Sequence, residues 1–321
     1  MKLGVLTVPL YGRSVEEAFK YLSGLGVQAV EIGTGGFPGN THLDPVQALS
    51  DPSRLENFKE LLKKYNLSIS ALSCHGNPVH PNADIAEKDH TDFVNTCKLA
   101  ERLGIDTVIT FSGCPGDHQG AKHPNWVTCA WPPDFGEVLR YQWDEILVPY
   151  WKNAAKIAAG HGVTKIALEM HPGFCVYNPK SLLRLREAAG AAIGANFDPS
   201  HLIWQGIKPT EAIKALKGAI YHVHAKDTRV DMFNTAVNGV LETSGYDDLL
   251  QRSWLFRTVG FGTGEDEWRG IISTLRATGY DGTISIEHED ALMSVEEGLE
   301  KAIDFLKPIL VYGAAAEMWW V

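Results

Sequence analysis

The sequence predicts an α/β fold, a (β/α)8 TIM barrel that forms a single domain. Short apolar runs alternate with helix-like segments along all 321 residues, and eight such units can be counted. Alternation of this kind is typical of a parallel sheet surrounded by helices. A barrel of eight units needs about 250 residues. The chain therefore has room for one barrel with insertions, and a second domain is not required.

The predicted strands are eight runs rich in β-branched and aliphatic residues. They cover residues 2–8, 27–32, 68–73, 106–111, 165–170, 193–198, 219–225 and 282–288. Helix starts are expected between them, at Ser14 with Glu17 three residues later and at Ser53 with Glu56 three residues later. A serine followed at this spacing by a glutamate is the pattern of a capping box.

Two connections are too long to be simple turns. Residues 113–140 follow the fourth strand and residues 228–260 follow the seventh. Both are expected at the mouth formed by the carboxyl ends of the strands, where long loops are usually functional. Trp126, Trp131 and Trp254 offer flat apolar faces of the kind found in ligand sites. We expect these insertions to cover a substrate; loops without a function and an oligomer contact are the alternatives.

Composition excludes several classes of protein. A net charge of −10 argues against a broad nucleic-acid-binding surface. No apolar run approaches the length of a membrane span, and the first residues lack a secretory signal. The five cysteines show no CxxC spacing, which disfavours a disulfide framework and a zinc knuckle. The expected location is therefore the reducing cytoplasm, without a membrane or nucleic-acid partner.

Four residues of metal-binding type stand at the carboxyl ends of strands five to eight. They are Glu169, Asp198, His224 and Glu287. Because side chains alternate along a strand, each shares its face with the residue two positions earlier. Those residues are small or polar: Ala167, Asn196, His222 and Ser285. The opposite faces are bulkier and are expected to pack on the helices: Ile166, Leu168, Ala195, Phe197, Tyr221, Val223, Ile284 and Ile286. The four candidate ligands should therefore meet inside the barrel mouth.

The donor set indicates the kind of ion. Three carboxylates and one imidazole form a mostly oxygen site, which suits Mg²⁺, Mn²⁺ or Co²⁺ better than a closed structural zinc site. Such an ion polarises a carbonyl or hydroxyl group while a carboxylate moves a proton. A purely structural cluster of ion pairs is the alternative.

Five motifs spread over nearly the whole chain resemble one known family. They are VEIG (30–33), LEMHP (168–172), NFDPSH (196–201), HVHAKD (222–227) and SIEHED (285–290). The chain resembles the xylose-isomerase-like barrels, which include sugar phosphate isomerases and epimerases and also the AP endonuclease called endonuclease IV. The resemblance implies a metal-dependent enzyme that acts on a small-molecule carbohydrate.

The ketose epimerases of that family imply roles for the ring. One divalent ion, Mn²⁺, Mg²⁺ or Co²⁺, is expected on Glu169, Asp198, His224 and Glu287. The resemblance makes Glu169 and Glu287 the catalytic acid and base as well. The implied reaction is isomerisation or epimerisation of a sugar or cyclitol, by proton removal next to a metal-bound carbonyl through a cis-enediolate.

Four further residues are candidates for substrate binding. The resemblance suggests His75 and His201, the latter at the last position of a DxxH motif. Lys226 and Arg229 follow a candidate ligand, and their charge suits a hydroxyl, carboxylate or phosphate group. Core packing is the alternative for His75, and ion pairs with nearby aspartates are the alternative for the two cations.

Three other features receive supporting roles in our interpretation. Glu31 is expected to be polar support at the mouth, and His222 is expected to be a hydrogen-bonded inward histidine. The segment GFGTG (260–264) precedes a helix and could bind an anion through its backbone. Because it lacks a lysine, it is a weak phosphate signal.

Other functions remain open at this stage. The first alternative is a lyase that eliminates a group from a keto-sugar, as in inosose dehydratase or the catalytic subunit of a 3-keto C-glycoside deglycosidase. The latter implies a small partner subunit. An AP endonuclease is disfavoured because TRVDMF (228–233) lacks an Asp-x-His pair and SGC (112–114) lacks a further histidine. The apolar tail, residues 311–321, suggests a homo-oligomer contact or packing on its own barrel.

Overall fold

The computed structural model describes residues 1–314, 317, 318 and 320, and within them eight parallel strands close into a barrel. The barrel strands are β1 (Lys2–Leu6), β2 (Ala29–Gly33), β3 (Ser68–Ser73), β4 (Thr107–Phe111), β5 (Lys165–Glu169), β6 (Ile193–Phe197), β7 (Ile220–Ala225) and β10 (Thr283–Ile286). Their order around the barrel is β1-β10-β7-β6-β5-β4-β3-β2. Each strand overlaps one of the eight predicted runs, so the predicted fold class is confirmed.

Helices follow the strands and surround the barrel. They are α1 (Val15–Gly24), α2 (Pro45–Ser50), α3 (Pro52–Lys64), α4 (Ala83–Leu103), α5 (Pro133–Arg140), α6 (Val148–Gly160), α7 (Pro179–Ala189), α8 (Pro199–Ile203), α9 (Pro209–Ala215), α10 (Met232–Asn238), α11 (Glu265–Ala277) and α12 (Val295–Leu306). A π-helical segment, Tyr141–Leu147, joins α5 to α6. Among the described residues, no helix has both the length and the apolar character that a membrane span needs.

One predicted helix start is confirmed and the other is wrong. Ser14 and Glu17 form the capping box at the start of α1, with Ser14 N donating to the Glu17 carboxylate at 2.8 Å. The cap of α3 is Asp51, two residues before the predicted Ser53. Its carboxylate accepts from Ser53 N at 3.0 Å. Pro52 explains the earlier start, because proline suits the first helical position.

The main core lies between the outer faces of the strands and the helices, where Trp151 and Trp268 are fully buried. A smaller apolar cluster of Ala71, Ile109 and Ala167 fills the barrel interior, and Tyr221 packs against it. The predicted outward position of Tyr221 is therefore wrong. The pairing of β6 with β7 shifts after Ala195, which breaks the simple alternation of faces.

The two insertions differ in structure. In the second, β8 (Asp227–Val230) pairs antiparallel with β9 (Trp254–Arg257), and α10 lies between them in sequence. This insertion was predicted as a long loop, and its hairpin was not predicted. The first insertion is irregular until α5 begins at Pro133. Residues 315, 316, 319 and 321 of the predicted tail lie outside the described residues.

Candidate metal centre

The strand ends bring the four predicted ligands together in one cluster. Glu169 is the last residue of β5, Asp198 follows β6, His224 lies in β7 and Glu287 follows β10. One ligand atom from each residue lies within 4.8 Å of the other three. Two atoms bound to one divalent ion at about 2.3 Å each are at most about 4.6 Å apart. A small inward movement of the side chains would therefore place all four around one ion.

Three atoms of this cluster are buried without a well-formed hydrogen bond to any described residue. They are Asp198 Oδ2, His224 Nδ1 and Glu287 Oε2. Buried polar atoms nearly always have a hydrogen-bond partner. Here their neighbours are other charged groups: His224 Nδ1 lies 3.0 Å from Glu169 Oε2 and 3.2 Å from Glu287 Oε2. The donor atoms converge as they would around a cation.

Hydrogen bonds from neighbouring groups orient two of the ligands. Asp198 is the N-cap residue of α8, and its Oδ1 accepts from Ser200 N at 2.8 Å. Glu169 Oε2 accepts from Asn196 Nδ2 at 3.0 Å. Helix capping thus fixes one oxygen of Asp198 and leaves the other directed at the cluster.

Glu31 on β2 orients His224. This carboxylate is fully buried, and both of its oxygens lie 3.0 Å from His224 Nε2. It also accepts hydrogen bonds from the hydroxyls of Ser73 and Ser285. A metal-binding histidine usually donates its second N–H to such a carboxylate, which fixes the ring and its tautomer. This contact leaves His224 Nδ1 directed at the ligand cluster. Glu31 was predicted to support the mouth, and His224 is the residue that it contacts.

A second group of potential ligands, Glu31, His222 and His224, lies deeper in the barrel. Its atoms are engaged in hydrogen bonds. His222 Nδ1 lies 3.0 Å from Asn196 Oδ1, and Nε2 lies 3.2 Å from Ser70 Oγ. We therefore interpret this group as a support network beneath the ligands, with His222 as a hydrogen-bonded inward histidine.

Electrostatics favour a cation at the centre. Burial lowers the pKa of His224, but Glu31 and Glu287 outweigh it and raise the pKa well above its usual value. Burial raises the pKa of Asp198 to about 7. Burial also raises the pKa of Glu31, yet His224 and His222 hold it at about 2. Without a metal ion, His224 is therefore an imidazolium between carboxylates, and a bound ion would replace its Nδ1 proton.

The two glutamates of the ring are ionised. Burial opposes this charge on Glu169, but the neighbouring side chains of His201, His224 and His75 keep its pKa well below the usual value. Lys226 and His224 likewise outweigh burial and lower the pKa of Glu287. Both side chains can therefore accept a proton at neutral pH.

Lys226 lies beside the ring. Its Nζ is 2.6 Å from Glu287 Oε2, 3.2 Å from Asp198 Oδ2 and 3.0 Å from Glu289 Oε2. These carboxylates outweigh burial and raise its pKa well above the usual value. The ammonium group also lies 4.6 Å from the centre of the Phe256 ring. Lys226 thus lies beside the ring with its charge already balanced.

The other predicted substrate residues occupy different positions. His75 Nε2 lies 3.1 Å from Glu169 Oε2, and His201 Nε2 lies 3.1 Å from Glu169 Oε1. Burial and the neighbouring His171 lower the pKa of His201 to about 3, so its ring is neutral. Arg229 is exposed on β8 opposite Leu255, and the structure does not bring it to the ring.

An aromatic arc beside the ring was missed by the sequence reasoning. The Phe111 ring centroid lies 4.6 Å from that of His75 and 5.0 Å from that of His171. The arc continues from His171 to His201 at 4.1 Å and from His201 to Phe256 at 5.2 Å. Phe111 is paired with Glu169 in register, so its place at the end of a predicted strand was a usable signal. No comparable signal marks Phe256, because the hairpin that carries it was not predicted.

The tryptophans of the insertions lie apart from the ring. Trp254 stacks on Trp204, with centroids 4.6 Å apart, and its ring centroid lies 5.1 Å from that of Phe256. Trp126 packs against Tyr177 in a lateral groove of about 840 Å³ beside α7. Trp131 is exposed. Within the described residues, the second insertion reaches the arc through Phe256.

The glycine-rich turn GFGTG binds an anion that belongs to the chain itself. The fully buried Asp227 carboxylate accepts from Gly260 N at 3.0 Å, Gly262 N at 3.2 Å and Thr263 N at 3.0 Å. Trp268 Nε1 donates to it as well, at 3.1 Å. These backbone donors are therefore engaged by the carboxylate of Asp227, which agrees with the weak phosphate signal of the turn.

Comparisons with known proteins agree with this fold. A family model described as "Xylose isomerase-like TIM barrel" matches residues 19–309. The uncharacterized protein YfiH of Bacillus subtilis (strain 168) is 39% identical over 310 residues, which cover 96% of this chain and 98% of that protein.

Two solved structures have the same fold. A D-tagatose 3-epimerase-like protein matches with a TM-score of 0.64 and 20% identity, over 96% of this chain and 98% of that one. The IolI protein with a bound zinc atom matches with a TM-score of 0.67 and 17% identity, over 97% of this chain and 98% of that one. At these identities the likeness concerns the fold.

Proposed function

The chain belongs to the xylose isomerase-like TIM barrel family, and from that premise we propose that it is a divalent-metal-dependent isomerase or epimerase of a sugar or cyclitol. The observation that carries the proposal is the ring of Glu169, Asp198, His224 and Glu287, in which three buried atoms contact other ionisable side chains without a well-formed hydrogen bond. A divalent ion bound there would polarise a substrate carbonyl and stabilise developing negative charge.

Glu169 and Glu287 are the proposed proton carriers. Both are held as carboxylates, so either can take a proton from the carbon next to a carbonyl. The side chain of Glu287 is 14% exposed, compared with 2% for Glu169. Glu287 is thus the more accessible to an incoming substrate, while His75 and His201 hold Glu169 in place.

The surrounding residues orient the substrate and exclude water. Phe111 and Phe256 give apolar surface on either side of His171 and His201. His201 is neutral, so it can donate one hydrogen bond and accept another. We propose that His201 and His75 also contact substrate hydroxyl groups.

Deuterium exchange tests this function. The protein, supplemented with Mn²⁺, Mg²⁺, Co²⁺ or Zn²⁺, is incubated in deuterated water with free ketoses, inososes and 3-keto-glycosides, and NMR follows C–H exchange next to the carbonyl. Glu169→Gln and Glu287→Gln should retain weak metal binding and lose exchange. The surface variant Glu56→Gln, which alters a pair with Lys59, is the matched control. Normal exchange in both ring variants would refute the assigned roles.

The products separate isomerisation from the lyase alternative. An isomerase or epimerase returns the proton and gives a sugar of the same composition. A lyase gives a conjugated enone or releases the substituent of a 3-keto-glycoside. Light scattering after size exclusion then measures the predicted homo-oligomer, and dependence on a small partner subunit would favour the deglycosidase reaction.

A further inference from the structure

We propose that the substrate is uncharged and presents an apolar face or planar substituent to Phe111 and Phe256, so that phosphorylated sugars are excluded. This inference rests on the proposed function and specifies its substrate class. Two independent observations carry it, the balance of charge at the barrel mouth and the aromatic arc beside the ring.

The mouth is rich in negative charge. Five carboxylates lie on or next to the ring: Glu31, Glu169, Asp198, Glu287 and Glu289. Against these five carboxylates stand the ammonium group of Lys226 and the two charges that a divalent ion would bring to the ring. The site remains negative, so an additional phosphate dianion would be repelled.

Three of the four cations near the mouth already have partners. Lys226 contacts three carboxylates. Arg257 Nε lies 3.1 Å from Asp290 Oδ2, and the Arg252 guanidinium lies over the rings of Tyr246 and Trp254 at 4.1 and 4.6 Å. Arg229 is exposed on the hairpin. A phosphate group would therefore have to use the charge of Arg229, because the other three cations are engaged.

The aromatic surface continues outward from the ring on both flanks. On one flank, Phe174 stacks on Phe111 at 4.3 Å and Phe37 lies 6.1 Å from it. On the other, Tyr246 stacks on Phe256 at 6.2 Å. Phe37 is 73% exposed and Tyr246 is 60% exposed. The aromatic surface thus extends beyond the residues next to the ring, and it suits a glycoside with an apolar, planar aglycone.

A matched set of three ketones tests the proposal. Methyl 3-keto-β-D-glucopyranoside is compared with its phenyl analogue and with its 6-phosphate, each with the metal-loaded protein in deuterated water. Exchange next to the ketone is the first readout. We expect the phenyl compound to exchange about three- to tenfold faster than the methyl compound at low concentration. The phosphate should exchange at least about tenfold slower.

Variants connect these preferences to the structure. Phe111→Leu and Phe256→Leu should each reduce the preference for phenyl over methyl. Phe135→Leu, on the exposed surface of α5, is the control and should retain it. Arg229→Ala should leave the order of the three compounds unchanged. Faster exchange of the phosphate, or its dependence on Arg229, would overturn the proposal, as would equal rates for phenyl and methyl compounds.

Binding of unreactive glucosides distinguishes failure of the proposed substrate class from failure of the proposed function. Titration calorimetry compares methyl β-D-glucopyranoside, its phenyl analogue and its 6-phosphate, none of which has a ketone. If no ketone exchanges, the proposed reaction is refuted, and the order of these affinities still decides the substrate class. Tightest binding of the phosphate would overturn the proposed substrate class, and tightest binding of the phenyl compound would support it.

Discussion

Replacing Glu31 by glutamine removes the negative charge behind His224 while keeping the shape of the side chain. Each Glu31 oxygen lies 3.0 Å from His224 Nε2. With the width of the imidazole ring and a metal–nitrogen distance of about 2.1 Å, an ion on Nδ1 would lie about 7 Å from the carboxylate. At an effective dielectric constant of about 20, that carboxylate stabilises a divalent ion by about 5 kcal/mol.

Glu31 also stabilises the proton on His224 that competes with the metal, and this offsets most of the energy. The imidazolium charge lies about 4 Å from Glu31 and is stabilised by about 4 kcal/mol at the same dielectric constant. The net loss of metal affinity at pH 7 is then about 1 kcal/mol, or about fivefold in Kd. The pKa of His224 should fall, because Glu31 is one of the carboxylates that raise it. The loss of affinity should increase at higher pH, towards the 10- to 100-fold typical of such supporting carboxylates.

Two measurements check this prediction. Competition with a fluorescent chelator gives the Kd for Mn²⁺, and NMR of the imidazole protons gives the titration of His224. Glu101→Gln is the matched control, because Glu101 forms a similar pair with His161 on the surface, at 2.8 Å. A folded Glu31→Gln protein with wild-type Kd and wild-type His224 titration would refute the reasoning.

Two further predictions concern pH and stability. The pKa of Asp198 is raised to about 7 and that of His224 is raised well above its usual value, so metal binding should release protons. Log Kd should therefore fall with increasing pH, and it should fall most steeply below pH 7, where Asp198 also carries a proton. Calorimetry in buffers of different ionisation enthalpy counts these protons, and a pH-independent Kd would contradict the assignment. Asp227→Asn should destabilise the fold by about 2–4 kcal/mol, because several buried donors lose a charged acceptor. Denaturant unfolding measures this. Asp231→Asn at the cap of α10 is the control and should cost little, because asparagine caps a helix about as well as aspartate. Equal losses would contradict the special role of Asp227.

Local pattern was sufficient to predict the barrel and the meeting of the four ring residues. Alternation within a strand fixes which side chains face inward, and parallel strands place their carboxyl ends together. The failures have non-local causes. Glu31 and His224 are 193 residues apart in sequence, so their contact is not visible in any short window. Arg229 belongs to a hairpin strand whose direction the preceding barrel strand does not determine.

Tyr221 and Asp227 show two other limits. A single shift of register reverses the expected face of Tyr221, and nothing in the amino-acid pattern of that strand signals the shift. The GFGTG turn was recognised as an anion-binding conformation, but the anion is a carboxylate 33 residues earlier in the chain. Sequence reasoning identified the donors and could not identify the acceptor.

The contact between His224 and Glu31 links the candidate metal centre to the completion of synthesis. Glu31 belongs to the second strand to leave the ribosome, and Glu287 follows the last barrel strand, which pairs with the first. A nascent chain that ends before residue 287 lacks one ligand, and a chain whose ends have not met lacks the alignment of His224. Loading of the ion would therefore be a post-translational event that marks a closed barrel.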